Sequence, residues 1–176
     1  MKIRRMDTRH RFLLPRLLKS HLLLIVSIVV LAACSDDDGV GPVDNPGIPE
    51  IEQRVHTLIN QYRVDQGLAP LTMSDVITTQ CRNHSRNMAD GSVPFSHDGF
   101  QARIDAISSQ ISISHGAENV ATNSGYSDPA QVAVDGWIKS EGHRKNIEGN
   151  YDLTGIGVSQ SAKGGYYLTQ MFARSR

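Results

Sequence analysis

Residues 136–158, G-W-I-K-S-E-G-H-R-K-N-I-E-G-N-Y-D-L-T-G-I-G-V, join the end of a predicted helix to the start of a predicted strand. The segment carries the only tryptophan, Trp137, and a histidine, His143, that directly follows a glycine. Because glycine tolerates dihedral angles that other residues avoid, we expect a loop at Gly142 that points the imidazole into a cleft. The segment ends in Gly155-Ile-Gly-Val158, whose two glycines allow another backbone to approach the strand closely.

Two earlier segments, F-S-H-D-G-F at residues 95–100 and H-G-A-E-N-V-A at residues 115–121, contain groups of the same kind. We predict that the three loops meet and bring His97, Glu118 and His143 to one cleft. Two neutral imidazoles and one carboxylate suit Zn²⁺ or another divalent ion. A hydrogen-bonded network that ties the loops to the sheet without metal explains the same residues equally well.

The flanking patterns predict helices first and strands last. Apolar residues at helical spacing predict helices over about 50–66, 74–89, 98–107 and 129–140. Residues 155–160 and 166–172 predict the strands of an antiparallel hairpin, because turn residues separate them. On the second helix we expect Cys81 and His84 to be buried, the histidine with a hydrogen-bond partner. This order of elements indicates an α+β fold with helices packed on a small antiparallel sheet.

The amino-terminal segment predicts export. Residues 1–19 carry seven basic side chains against one acidic side chain, and an apolar run follows over residues 22–33. A basic segment, a short apolar core and small residues at its end are typical of a secretory signal. The run is shorter than the roughly 20 apolar residues that cross a bilayer, and an uncleaved anchor is the alternative. Leu31-Ala-Ala-Cys34 resembles the bacterial lipobox, whose cysteine is acylated and becomes the mature amino terminus.

The chain therefore divides into a lipoprotein signal peptide over residues 1–33, a flexible acidic tether over 34–49 and a folded domain over 50–176. Lipid chains on Cys34 are expected to hold the protein on an extracytoplasmic membrane surface of the bacterial cell envelope. Ser35 stands where an aspartate would resemble an inner-membrane retention signal, so we expect the outer membrane if the host is Gram-negative.

The charge of the mature protein excludes one class of partner. Seven of the 18 basic residues and one of the 18 acidic residues lie within residues 1–33, which leaves 11 basic and 17 acidic side chains. A net acidic domain argues against nonspecific nucleic-acid binding. Once Cys34 is modified, Cys81 is the only remaining thiol and no intramolecular disulfide can form. We expect a monomer that relies on its hydrophobic core.

Short motifs in a fixed order resemble the bacterial CAP (SCP-like) domains of the cysteine-rich secretory protein, antigen 5 and PR-1 family. The motifs are Asn60-Gln-Tyr-Arg63, His84-Ser85, Phe95-Ser-His97, Gly116-Ala-Glu-Asn-Val-Ala121, Trp137 with Ser140, Gly142-His-Arg144, Asn146-Ile147 and Gly155-Ile-Gly-Val158. Each motif alone is weak, but the ordered set is specific and spans about residues 51–172. The resemblance implies an α-β-α sandwich with a small, mainly antiparallel central sheet flanked by helices.

The resemblance also implies a central cavity lined by two histidines and two acidic residues. His97 and His143 match the histidines, and Glu118 matches the first acid. Ser140 stands where many members have the second acid, so the set is incomplete. Glu141 does not replace it, because one step along a helix turns a side chain by about 100°. The predicted cavity residues are therefore His97, Glu118, Ser140 and His143, with His97 and His143 as the metal ligands.

Three functions are compatible with these residues. The first is a membrane-tethered binding module for a lipid, glycan, peptide or protein, whose cleft holds a divalent metal such as Zn²⁺. The second is a hydrolase of protease or nuclease type, with Glu118 as general base and a histidine such as His143 as acid, with a metal-activated water, or with Ser140 as nucleophile. The third is a mainly structural envelope protein. The incomplete set favours the binding module, and Ser140 more simply caps a helix end or bonds to the loop backbone.

Replacement of the predicted lipidation site, Cys34→Ser, is expected to release or misprocess the protein, because the thiol is the atom that is acylated. Membrane fractionation and the intact mass of the cell-associated protein measure this, with Ser35→Ala as the matched control. Unchanged fractionation together with an unchanged mass would contradict the assignment.

Overall fold

The computed structural model describes residues 47–176, so the predicted signal peptide and most of the tether, including Cys34, lie outside the described residues. Within this range the elements are α1 (Ile48–Asp65), β1 (Thr72–Met73), α2 (Asp75–Ala89), α3 (Phe100–Ser108), β2 (Ile113–Asn123), α4 (Pro129–Lys139), α5 (Glu141–Glu148), β3 (Leu153–Gln160) and β4 (Tyr166–Ser175). None of the described helices is both long enough and apolar enough to span a bilayer.

The four strands form one sheet in the order β1-β3-β4-β2. The strand β4 pairs antiparallel with both β3 and β2, and the two-residue strand β1 pairs parallel with β3. The predicted hairpin of the last two strands is confirmed. The sheet is mainly antiparallel, as expected.

Helices cover both faces of this sheet. Along β4, Leu168 and Phe172 pack in one cluster with α1 and α4, whereas Met171 and Ala173 pack in another with α2 and α3. Successive side chains of a strand point to opposite faces, so this alternation separates two apolar layers. The predicted α-β-α sandwich of the α+β class is confirmed.

The four predicted helices are present, with small differences at their starts. Before α4, the Asp128 side chain accepts a hydrogen bond from the Gln131 main-chain N–H (3.0 Å), as a cap should. Ser74 precedes α2, but within the described residues its side chain makes no such bond. Helix α3 begins at Phe100 and not at residue 98. Cys81, His84 and Trp137 are buried, as expected.

The segment around His143 is the helix α5, where the sequence predicts a loop. Its eight residues bury only Ile147, so the segment lacks the apolar stripe by which a helix is recognised. An ion pair between Lys145 and Glu141 (2.7 Å) supports the turn. The Arg63 guanidinium of α1 donates to the main-chain oxygen of Ile147 near the end of the helix. Tertiary contacts therefore stabilise a helix that its local pattern does not reveal.

The segment that contains Glu118 is the strand β2 and not a loop. Its sequence, I-S-H-G-A-E-N-V-A-T-N, lacks a regular alternation of apolar and polar residues and includes residues that are depleted in strands. Residues 115–123 pair with β4 throughout. On the outer edge, the Trp137 indole N–H donates to Val120 O (3.0 Å) and the Asn146 amide donates to Glu118 O (3.1 Å). These side chains occupy the place that a further strand would take.

Helix α2 lies directly against β3 because Gly155 and Gly157 have no side chains. A Cβ atom on either glycine would lie less than 3.0 Å from main-chain atoms of α2. The Cys81 thiol donates to Gly155 O (3.2 Å), and the Ser85 hydroxyl donates to Gly157 O (2.8 Å). The expected close approach of another backbone to this strand is confirmed.

The variant Gly157→Ala is expected to lower the free energy of unfolding by roughly 1–3 kcal/mol, because the added methyl group overpacks the contact between α2 and β3. Denaturant titration of the purified protein measures the change. Gly136→Ala is the matched control, since a Cβ atom there has no other atom within 4 Å, and it is expected to stabilise α4 by up to about 1 kcal/mol. Equal free energies of unfolding for Gly157→Ala and the unchanged protein would contradict this prediction, because α2 would then move away from β3 without a loss of stability.

Candidate functional site

Glu118 is a buried carboxylate whose two oxygens are both occupied. The guanidinium of Arg103, on α3, donates from Nε to Oε2 and from Nη2 to Oε1, both at 2.8 Å. The His97 Nδ1 atom lies 2.9 Å from Oε1. The Glu118 side chain is only 2% exposed and that of Arg103 only 10%. Because the carboxylate is held by a bidentate cation, it is poorly suited to act as a general base.

Arg103 also connects this carboxylate to His84 on α2. Its Nη1 atom donates to Asp98 O (2.9 Å) and lies 3.3 Å from His84 Nδ1. A guanidinium only donates, so His84 Nδ1 must accept, and the proton sits on Nε2, which donates to Ser96 O (2.9 Å). Burial lowers the pKa of His84, and the nearby Arg103 charge adds to the effect. The prediction that His84 is a hydrogen-bonded core histidine is confirmed.

His97 lies in the segment before α3 and has one tautomer when it is neutral. Since a carboxylate accepts hydrogen bonds and does not donate them, Nδ1 carries the proton that is donated to Glu118. The Nε2 atom then keeps its lone pair and makes no hydrogen bond within the described residues. The side chain is 52% exposed, so this lone pair is open to a ligand.

A pair of asparagines attaches α5 to β2 and thereby places His143. The Asn146 amide donates to Asn119 Oδ1 (2.9 Å), besides its bond to Glu118 O. The Asn119 amide in turn donates to His143 O (3.1 Å). His143 therefore reaches the cleft from a helix that is hydrogen-bonded to the strand carrying Glu118.

The imidazole of His143 has no hydrogen-bond partner among residues 47–176, and its Nδ1 atom is buried. Burial lowers the pKa of His143, and the charge that His97 carries when protonated lowers it further. At neutral pH the ring of His143 is neutral, and its nitrogens are unused by the protein.

Ser140 lies at the junction of α4 and α5, and its main-chain groups form hydrogen bonds with both helices. Its N–H donates to Gly136 O (3.2 Å), and its carbonyl accepts from Arg144 N (2.8 Å). Its hydroxyl makes no cap bond to α5, so the expectation that the Ser140 side chain caps a helix end is wrong. Within the described residues the buried Nδ1 atom of His143 has no hydrogen-bond partner, so Ser140 does not bond to it. The side chain of Glu141 is 72% exposed and pairs with Lys145, so it does not replace the missing acid.

The predicted cavity residues line two separate pockets, each of which includes residues of β2. One pocket, of about 330 Å³, contains His97 and Glu118; the other, of about 290 Å³, contains Ser140 and His143. Across the described residues, no three His, Cys, Asp or Glu side chains are grouped closely enough to enclose a metal ion. The structure thus places His97 and His143 in different pockets and pairs the carboxylate of Glu118 with Arg103.

Sequence reasoning missed the roles of Arg103, Asn119 and Asn146. The two asparagines stood inside recognised motifs, but nothing in those motifs shows which atoms they contact. One feature of the sequence could have identified Arg103. A buried carboxylate needs a cationic partner, and Arg103 lies on the helix that is predicted directly after His97.

Comparison with known proteins gives the family. The model of the cysteine-rich secretory protein family, CAP, matches residues 56–172. YkwD of Bacillus subtilis is 34% identical over 126 residues, which are 70% of this chain and 47% of YkwD. The membrane protein YlbC of the same organism is 33% identical over 128 residues, which are 70% of this chain and 34% of YlbC. The chain therefore matches half or less of the length of these relatives.

Solved structures agree with this match. An extracellular protein containing an SCP domain from Bacillus anthracis has a TM-score of 0.61 and 28% identity, covering 72% of this chain and 41% of that one. An outer surface protein of Borrelia burgdorferi has a TM-score of 0.62 and 14% identity, covering 72% and 94%, and at this identity it shows the fold alone. The motif order, the sandwich and the match over residues 56–172 lead to one conclusion: the chain belongs to the cysteine-rich secretory protein family and carries its CAP domain.

Proposed function

We propose that the protein is an extracytoplasmic binding module, tethered to a membrane through lipid on Cys34, whose cleft binds its ligand through His97 and His143. One observation carries this proposal. His97 and His143 each have a ring nitrogen that makes no hydrogen bond within the described residues, and Arg103 already neutralises the carboxylate that contacts His97. The imidazole nitrogens can therefore bind a ligand, whereas the carboxylate of Glu118 is already occupied by Arg103 and is not available as a general base.

A divalent ion such as Zn²⁺ fits this arrangement as a weakly held partner. The proposed ligands are His97 through Nε2 and His143 through an unused ring nitrogen. Glu118 orients the first of these rings through Nδ1, as carboxylates beside metal-binding histidines commonly do. Two protein ligands leave open positions for water or a bound molecule, so the affinity is expected to be below that of a closed four-ligand site.

The geometry gives no support to a hydrolase that uses Glu118 as general base or Ser140 as nucleophile. Both oxygens of Glu118 are occupied, and the position of the second acid is Ser140. Neither Ser140 nor Glu141 forms a hydrogen bond to His143 in the described structure. A general base with an occupied carboxylate and a nucleophile without a base are both poor catalysts.

The proposed location follows from the predicted signal peptide and tether together with the relatives. The Bacillus anthracis protein is described as extracellular. Lipid chains on Cys34 would keep the acidic domain at the bacterial cell surface or outer membrane, as a monomer and without a nucleic-acid partner.

Zn²⁺ is expected to stabilise the full-length protein at pH 7.5 and to do so less at pH 5.5, measured by thermal unfolding during a metal titration. A metal ion binds only the neutral ring, so protonation of the histidines competes with it. The lowered pKa of His143 keeps that ring neutral further into the acid range than an ordinary histidine, but protonation of either ring removes one of the two ligands. At a free Zn²⁺ concentration of 100 times Kd, the free energy of unfolding is expected to rise by about 2.7 kcal/mol.

His97→Ala and His143→Ala are each expected to abolish the Zn²⁺-dependent stabilisation. The matched control is His115→Ala, which removes an exposed histidine that lines neither pocket. Equal stabilisation of the unchanged protein and both cleft variants would place the ion elsewhere and refute the two-histidine site.

A further inference from the structure

Helix α1 begins at the end of the sheet that holds the turn between β3 and β4. The Glu52 carboxylate accepts a hydrogen bond from the main-chain N–H of Val158 (3.2 Å), near the end of β3. Further along the helix, Arg63 donates to Tyr151 O (3.2 Å), just before β3 starts. The helix therefore runs antiparallel to β3, and each residue before Glu52 adds about 1.5 Å in the direction of the turn. Gly47, the first described residue, lies at this end of the domain.

The loop after β2 lies beside the same turn. Asn123, the last residue of β2, pairs with Tyr166, the first residue of β4. Residues 124–128 therefore leave the sheet next to the turn at residues 161–165. Tyr126 in this loop is 55% exposed. An exposed aromatic ring is thus present at the end of the domain where α1 begins.

A second exposed aromatic residue, Phe95, lies at this end. Its ring contacts the ring of Tyr167, the second residue of β4, edge-on with 6.4 Å between the centroids. The residue is nevertheless 48% exposed. We call this end of the domain, defined by Gly47, Phe95, Tyr126 and the turn at residues 161–165, the tether end.

Exposed apolar side chains are concentrated at the tether end. Within residues 47–176, the large apolar residues that are exposed are Val64, Phe95 and Tyr126. Val64 lies near the other end of α1, beside Arg63. A single exposed apolar residue needs no explanation. Two aromatic rings at the point where a lipid tether joins the domain are different, because aromatic side chains favour the interface between membrane and water.

The length of the predicted tether keeps this end near the bilayer. The tether from Cys34 to the described domain comprises residues 34–46. A flexible segment of this length has a root-mean-square span of about 20 Å. A short tether gives the attached surface an effective concentration on the order of 1 mM. A contact too weak to hold a free protein is therefore populated in the tethered one.

The charges at the tether end do not select an anionic surface. They include two bases, two acids and one ion pair, namely Lys163, Arg86, Glu50, Asp90 and the pair of Arg54 with Asp128 (3.2 Å). Opposite charges in equal number give little net attraction to anionic lipids. The aromatic rings are thus the groups that can hold this end to a membrane.

We propose that the tether end is a membrane-contact surface, at which Tyr126 and Phe95 place their rings among the headgroups of the bilayer that holds the lipid anchor. This inference rests on the proposed lipid tether and adds the orientation of the domain to it. The Asn123 end of β2 then faces the membrane, and the Ile113 end, which pairs with Ser175, faces away. The pocket that includes Phe95 and Asn123 opens beside the membrane surface.

The test uses the full-length protein, purified from bacterial membranes in detergent and reconstituted on phosphatidylcholine vesicles. The acyl chains carry bromine near the headgroup or none, because bromine quenches tryptophan fluorescence on contact. Tyr126→Trp and Phe95→Trp each add a reporter at the tether end. Trp137 is 2% exposed, so the unchanged protein gives the background. We expect bromine to reduce the added emission by about half, as for a contact whose Kd is near the effective concentration.

Val64→Trp is the matched control, since it adds a tryptophan at a position that is 53% exposed near the other end of α1. Its added emission is expected to be equal in both kinds of vesicle. Adding Cys34→Ser to Tyr126→Trp removes the tether, and quenching is expected to fall to the background. Phosphatidylglycerol and salt are expected to leave the quenching of Tyr126→Trp unchanged, because the contact does not depend on charge.

Flotation of the vesicles in a density gradient measures attachment separately from orientation. Protein that floats but shows no quenching of Tyr126→Trp and Phe95→Trp, or equal quenching of Val64→Trp, overturns the inference and leaves the lipid tether standing. Protein that does not float refutes the tether and the contact together. Flotation and quenching that persist in Cys34→Ser support the contact surface and remove the lipid from the proposed function. Quenching that appears only with phosphatidylglycerol overturns the aromatic contact.

Discussion

The close contact between α2 and β3 is the constraint on which the rest of the structure depends. Because Gly155 and Gly157 lack Cβ atoms, the main chain of α2 lies against the strand, and Cys81 and Ser85 donate to its oxygens. This contact sets the height of α2 above the sheet, and with it the position of His84 on the same helix. A larger residue at either glycine would displace the helix and move the histidine away from its partners.

Arg103 connects His84 on α2 with the carboxylate of Glu118 on β2. Arginine only donates and carboxylate only accepts, so the contacts of Arg103 and Glu118 leave each neutral imidazole, His84 and His97, with one tautomer. Burying the charge of Glu118 is unfavourable, and the bidentate guanidinium offsets it. As a result both oxygens of the Glu118 carboxylate are occupied, and one of them accepts the hydrogen bond that orients His97.

The helices α4 and α5 are hydrogen-bonded to the outer edge of β2. Trp137 and Asn146 donate to carbonyl groups on the outer edge of β2, and this protects an edge strand that would otherwise offer unpaired main-chain groups. The same contacts, together with Asn119, bring His143 to the strand that carries Glu118. One set of hydrogen bonds therefore both protects the edge of β2 and positions the helix that carries His143.

The sequence by itself determined the features that depend on neighbouring residues: the apolar stripes of α1, α2 and α4, the Asp128 cap, the turn between β3 and β4, and the glycines that admit a helix backbone. The order of its motifs also named His97, Glu118 and His143. Only the tertiary structure decided that β2 is a strand and α5 a helix, since pairing with β4 and the contact from Arg63 hold segments with weak local preference. It also decided that Arg103 neutralises Glu118. The two residues are 15 positions apart, and their contact results from the packing of α3 on β2, which no periodic pattern in the sequence reveals.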